Sequence, residues 1–349
     1  MAGRLLWRLG HAIVAAWAIA SLVFLLSRLA LGSPDQLLLN EIGDLGSPAA
    51  GIVSQARQTA EQANFRRRLG LDEPLFYITH TTSQPAGWQW HGTHNQYHKW
   101  LIGLLRGQLG TSYRDGRPVT ALLSTALSYT IPLAALALAL ILMGGSALAL
   151  ALAEGTGSWR ASVRVLLVGL QALPMFAVAL GLLFFLANPD FVDILPAYSP
   201  LGGGDVPWRI TAMQLVLPTL ALVLASLPEL TLTLEAALRH ESQHDYATTA
   251  RAKGLPAARL LRRHLLPNAI LPILTAFADL LPTLLAGTVV VETLFSVPGV
   301  GRLLAEAAAA HDYPIIVAGV LLIAAIRLLA LLLTDVLVLL ADPRIRRAL

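Results

Sequence analysis

Long apolar runs alternate with short polar links for most of this chain. The runs cover His11 to Leu31, Tyr129 to Ala153, Val163 to Ala187, Thr211 to Leu234, Ile273 to Leu294 and Ile315 to Ala341. Each reaches or exceeds the roughly 20 residues that a helix needs to cross a hydrocarbon core, so the pattern predicts six spanning helices. The first run follows Arg4 and Arg8. It is longer than the apolar region of about 7–15 residues in a cleavable signal, and is expected to remain as span one, with Arg28 snorkelling at its outer end. Pro132, Pro174, Pro218, Pro228 and Pro282 fall within the later runs. Each frees a backbone carbonyl that neighbouring helices or water must satisfy, so kinked helices around a polar path are expected.

Composition agrees. Of 349 residues 56% are hydrophobic and 13% charged, about half the charge that covers a typical soluble domain, and the mean hydropathy is +0.64. The net charge of +4 is read as membrane orientation rather than nucleic-acid binding, because basic residues gather in cytoplasmic loops. Arg4 and Arg8, Arg160 and Arg164, the group Arg239, Arg251, Lys253, Arg259, Arg262 and Arg263, and the tail Arg344, Arg346 and Arg347 share one side of the layout. The other side has Arg209 and Arg302 in its short loops. Both termini are therefore expected in the cytoplasm. Cysteine is absent, which removes disulfides, iron–sulfur clusters and thiolate zinc sites.

Three regions follow: residues 1–31 as the N-terminal end and first span, 32–118 as an external segment, and 119–349 as a five-span core with a cytoplasmic loop over 237–272. In the external segment the turn residues Gly32-Ser33-Pro34 and Gly46-Ser47-Pro48 precede a helix expected over 49–69, and a second amphipathic stretch runs from Gln96 to Leu109. The cytoplasmic loop carries the densest signal. From Asp245, Tyr246 and Ala247 through Thr249, Ala250, Arg251, Ala252 and Lys253, the chain reads as a short helix closed by Gly254. A second helix is expected from Pro256, a first-turn proline, to about Leu265. A basic amphipathic helix on anionic lipid would account for the arginines but not for the glycine hinge.

The string Thr249 to Leu255, with Leu266 and Pro267 a dozen positions after Gly254, resembles the cytoplasmic signature of the permease subunits of dipeptide, oligopeptide and nickel ABC importers. The resemblance extends through Arg28 to Gln36, Arg66 to Leu75, Leu104 to Val119, Val289 to Leu304, His311 to Pro314 and Thr334 to Arg346. It implies an all-α membrane protein of six spans in the bacterial inner membrane, acting as a permease that moves peptides or similar small solutes inward by alternating access. It also implies a homologous second permease, two ATP-binding subunits that hold ATP and Mg, and an external solute-binding protein, with residues 245–254 and Leu266-Pro267 coupling to the ATPase. Small residues at Ala247, Ala250 and Ala252 would permit close docking. The sequence departs from the family where Leu232 and Glu235 stand in place of arginines, where Leu331 replaces an asparagine, and where a stretch from Ile78 to Asn95 is inserted. These departures leave the cargo open, and a nickel or other metal complex is the alternative within the family.

Intrinsic catalysis finds no support. The lysines are Lys99 and Lys253, and neither stands in a phosphate-binding G-x-x-x-x-G-K-[ST] loop, so ATP must be hydrolysed by a partner and this chain needs no cofactor of its own. Glu229, Asp279, Glu292 and Asp335 fall in or near spans, where a carboxylate is costly and therefore a functional candidate. Glu292 and Asp335 are read as helix-to-helix hydrogen-bonding groups. Glu229 and Asp279 are read as pathway groups, which a proton-coupled carrier, the rival function, would also use. In the external insertion His91, His94 and His98 have spacings that bring imidazoles together on a helix, a weak metal candidate that Gly92 and Asn95 disfavour. Trp88 and Trp90 suit a membrane interface.

Overall fold

A computed structural model describes residues 2–29, 73–81, 87–153, 157–188, 190 and 208–341. The turns at 32–34 and 46–48 and the helix expected over 49–69 lie outside them. The described elements are α1 (Ala2–Leu29), β1 (Ile78–Thr81), β2 (Gly87–Trp90), α2 (Gln96–Leu105), α3 (Val119–Ala153), α4 (Ser158–Ala172), α5 (Met175–Leu186), α6 (Trp208–Ser242), α7 (Asp245–Ala252), α8 (Ala257–Leu260), a π-helical turn (Leu261–Leu265), α9 (Leu266–Asn268), α10 (Ile270–Leu294), α11 (Val300–Ala309) and α12 (Tyr313–Ala341). They group into two compact units, one of Met1–Ala16 with Ala121–Leu349 and one of Trp17–Thr120.

Among the described residues three helices are long and apolar enough to cross a membrane, Val119–Ala153, Met213–Ser242 and Tyr313–Thr334. The bent pair α4 and α5 makes a fourth if it is one span. Pro132, Pro218, Pro228 and Pro282 all lie inside continuous helices. Pro174 does not. The residue before it, Leu173, takes an extended ψ of 129°, the conformation that a following proline favours, and the axes of α4 and α5 diverge by 104°. The run from Val163 to Ala187 is thus two helices at a sharp angle rather than one kinked helix.

In the larger unit α10 is central and packs on α5, α6, α11 and α12. Its Leu280, Leu284 and Val291 join Leu133, Ala137 and Ile141 of α3, Ala179 of α5, and Leu217, Ala221, Leu222 and Leu230 of α6 in one buried core. The outer faces stay apolar, with Ile131 and Met143 of α3, Val165 of α4, and Phe176, Phe184 and Phe185 of α5 exposed. An apolar exterior around an apolar core is the pattern of a helix bundle whose solvent is lipid.

The structure is mostly helical, and the smaller unit adds one short hairpin to the helices. Ile78–Thr81 and Gly87–Trp90 pair antiparallel, with Ile78 opposite Trp90 and His80 opposite Trp88. Ile78 opposite Trp90 sets a β-branched residue against an aromatic one, a pair that stabilises a ladder, and the rings of His80 and Trp88 meet edge-on at 5.1 Å. Beside the hairpin α2 packs on α1: Tyr97 and Trp100 surround Phe24 at ring distances of 5.5 and 4.9 Å, and Tyr97 Oη lies 2.7 Å from Ser21 Oγ.

Candidate functional site: the loop after α6 and the buried carboxylates

The loop after α6 is built from a tightly closed helix. Asp245 in the first turn of α7 complements the helix dipole. At the other end Lys253 is the C-cap and Gly254 takes φ +78°. The Leu255 amide donates to the Ala250 carbonyl at 3.1 Å and the Gly254 amide to the Arg251 carbonyl at 2.9 Å, the paired bonds of a Schellman motif, with Leu255 folded back onto the apolar cluster that also holds Ala250. Pro256 is the N-cap of α8, one position ahead of the first-turn place expected for it.

One face of α7 is spent inside the chain. Ala247 is fully buried among Ala149 of α3, Leu234 and Leu238 of α6, and Leu260, Leu261 and Leu265 beyond the hinge, with Tyr246 and Ala250 packed alongside. Ala247 and Ala250 therefore permit close packing on this chain's own helices. The open face consists of Asp245, Thr248, Thr249, Arg251 and Ala252, continued by Lys253 and Gly254. Arg251 donates through Nη2 to the Ser242 carbonyl at 3.0 Å, which lashes α7 to the end of α6.

Past the hinge the helix widens. The Leu266 amide donates to the Leu261 carbonyl, the wider bond of a π turn. Pro267 follows directly and sits in the first turn of α9. A proline ring clashes with the carbonyl four residues back in an α-helix, here that of Arg263, and the wider turn relieves the clash. Leu266 packs on the loop's apolar cluster, whereas Pro267 is exposed.

Two buried glutamates organise the bundle. Glu235 on α6 receives Arg164 Nε of α4 at 2.6 Å and Arg239 Nε at 2.9 Å. Arg164 Nη2 also donates to the Leu152 carbonyl and Arg160 Nε to the Ala151 carbonyl, so α4 satisfies the free carbonyls that end α3. Glu235 is thus the acceptor that holds α4 in place.

Glu292 near the end of α10 is fully buried. Its Oε1 accepts from Thr130 Oγ1 of α3 at 2.7 Å. Its Oε2 accepts from the amides of Gly301 at 2.6 Å and Arg302 at 3.3 Å, and Thr130 Oγ1 accepts from the Val300 amide at 2.8 Å. The N-cap of α11 is Gly299, which has no side chain to do this work. Glu292 and Thr130 thus cap α11 from other helices, and its first-turn amides with the helix dipole match the carboxylate's charge. A Cβ on Gly299 would stand 2.2 Å from Glu292 Cδ, and one on Gly301 would stand 2.4 Å from Val289 Cα. Both positions admit only glycine because the carboxylate and α10 come so close.

The remaining candidates scatter. Glu229 on α6 and Asp279 on α10 are exposed. Asp335 is on α12, and its side chain lies outside the described residues. Arg327 is exposed in the middle of α12, a charge in an apolar run that the sequence reading passed over. Asn95 caps α2 by accepting from the His98 amide at 2.7 Å, so His91 and His94 precede the helix. His91 pairs with Thr79 at 2.7 Å and His98 with Tyr77 at 2.9 Å. The histidines do not share a helix face.

The family described as "binding-protein-dependent transport system inner membrane component" matches residues 145–347, from α3 through the loop, both buried glutamates and α12. The chain belongs to that family. Relatives of this inner membrane component include a probable peptide ABC transporter permease protein of Sinorhizobium fredii, 33% identical over 86% of this chain and 90% of the relative. The oligopeptide transport system permease protein AppB of Bacillus subtilis is 30% identical over 86% and 90%. The di/tripeptide transport system permease protein DppB of Pseudomonas aeruginosa is 30% identical over 97% of each chain.

Proposed function

We propose that this chain is the permease subunit of an ATP-driven importer that carries peptides or similar small solutes inward by alternating access. The observation that carries the reading is the construction of α7. One face is locked into the chain's own core and the other is left open and polar. A rigid element of that kind transmits a push from a docked subunit into α6, α8 and the helices beyond. The chain completes six spans with both termini in the cytoplasm and residues 32–118 outside. It works with a second permease, two ATP-binding subunits that supply ATP and Mg, and an external solute-binding protein. Membership of a binding-protein-dependent family and its peptide-permease relatives support a peptide cargo.

Glu229, Asp279 and Arg327 are exposed on helices assigned to spans. A charge facing lipid at mid-membrane costs about 2.5–3.5 kcal/mol, so these residues face the second permease or the solute path. Reconstitution with the partners tests the reading. Cargo-stimulated ATP hydrolysis is expected to vanish when Thr248 is replaced by tryptophan, with the complex still assembled. Uptake by this chain alone, driven by a proton gradient and lost in Glu229→Gln or Asp279→Asn, would replace it with the proton-coupled reading.

A further inference from the structure

We propose that His240, Glu241 and His244 form a transition-metal site, suited to Zn²⁺, at the elbow between α6 and α7. Among the described residues this is the group of histidine and acidic side chains whose ligand atoms converge, one from each residue and all within 4.8 Å of one another. The imidazoles of His240 and His244 are 5.1 Å apart and nearly perpendicular. Both are exposed, so their χ angles can close the group to the roughly 2.0–2.1 Å metal–nitrogen distances of zinc.

The carboxylate is held ready. Glu241 Oε2 accepts from Tyr246 Oη at 2.6 Å, which leaves Oε1 turned toward His244 Nε2, 4.0 Å away. A hydroxyl that fixes a ligating carboxylate is the support that metal ligands ordinarily receive. Tyr246 itself packs on the apolar cluster that holds Leu260, Leu261 and Leu265, so the site is anchored on both sides of the hinge. Two imidazoles and one carboxylate favour zinc, nickel or copper(II) over calcium and magnesium.

The spacing His240-Glu241-Ser242-Gln243-His244 matches the H-E-x-x-H pattern of zinc peptidases, in which both histidines lie on one helix and the glutamate is a free general base. Neither condition holds. The helix ends at Ser242, His244 is the N-cap of α7, and Glu241 is tied to Tyr246. The site is therefore a clamp rather than a hydrolytic centre. An ion that bridges the last turn of α6 to the first residue before α7 fixes the angle at which α7 stands.

The test uses the assembled complex in lipid nanodiscs, purified without a histidine tag and stripped of metal. Zn²⁺ stoichiometry by mass spectrometry is expected to exceed that of the H240A/H244A complex by one ion per copy of this chain, and Co²⁺ is expected to give a tetrahedral absorption band that the same variant lacks. The H240C/H244C variant, in a chain otherwise free of cysteine, is expected to regain the ion. Tyr246→Phe is expected to weaken binding about 10- to 100-fold. Equal stoichiometry in wild type and H240A/H244A would overturn the site. The clamp's effect rests on the coupling reading and is measured separately: Zn²⁺ is expected to suppress stimulated ATP hydrolysis in wild type and not in H240A/H244A. Binding without suppression would uphold the site and overturn the clamp.

Discussion

Replacing Gly299 with alanine isolates the contact on which the α10–α11 junction depends. Gly299 has φ −93° and ψ −176°, a conformation open to any residue, so the penalty is steric. The new Cβ would stand 2.2 Å from Glu292 Cδ and 2.3 and 2.4 Å from its carboxylate oxygens. The carboxylate must move, and in moving it releases the buried Thr130 Oγ1 and Gly301 amide and the partly buried Arg302 amide. Overpacking costs about 1–3 kcal/mol, and each buried donor left without a partner costs about 1–3 kcal/mol. With one donor lost, the destabilisation is roughly 2–6 kcal/mol. The assay is thermal unfolding of the assembled complex in a double-mutant cycle with Glu292→Ala. The alanine at Gly299 is expected to be costly alone and nearly neutral once the glutamate side chain is gone, a coupling well above the few tenths of a kcal/mol seen for independent sites. Additive penalties, or a Gly299→Ala protein as stable as wild type, would refute the reasoning.

Other expectations follow from the same geometry. Glu235→Ala leaves Arg164 and Arg239 facing an empty acceptor and should cost about 3 kcal/mol, the low end for breaking a buried ion pair because both arginines are partly exposed; thermal unfolding measures it. Gly254→Ala meets no atom within 4 Å, so its cost is the conformational ~1–2 kcal/mol of a left-handed residue, to be read as faster proteolysis at the hinge and reduced stimulated ATP hydrolysis. The Tyr246 hydroxyl is held above its ordinary value of 10.0 by burial first and then by its bond to Glu241. The folded loop therefore favours the protonated phenol, and the resulting stability is complete below pH 10 and lost as pH rises through the elevated value. A phenolate absorbance titration that shifts on Tyr246→Phe checks this.

Much of the bundle was legible because lipid-facing helices are apolar all round, and length alone then marks them. The closure of α7 was legible for a local reason. A glycine at the end of a short polar helix, followed by an apolar residue and a proline, allows few alternatives, and the Schellman bonds at Ala250, Arg251, Gly254 and Leu255 realise it. What escaped depends on contacts distant in sequence. Nothing local separates Pro174, which breaks its helix, from Pro132 or Pro282, which do not. The hairpin over Ile78–Trp90 alternates too briefly to outweigh its polar composition. Thr130 meets Glu292 across 162 positions, and no spacing rule links them, although two glycines following Glu292 within nine residues were a visible sign of close approach. The His240–His244 spacing was also visible. The sequence's metal candidate lies instead at His91, His94 and His98, the first two of which precede the helix that carries the third.

Docking of an ATP-binding subunit on the open face of α7 can be measured by cross-linking, because the chain has no cysteine of its own. Single cysteines at Thr248 and Ala252, both exposed, and at Ala247, fully buried, are introduced into the reconstituted complex and treated with a short cross-linker. Adducts to the ATP-binding subunit are expected from Thr248→Cys and Ala252→Cys, with yields that change on ATP binding, and none from Ala247→Cys. Failure of both exposed positions to cross-link in an active complex would contradict this docking.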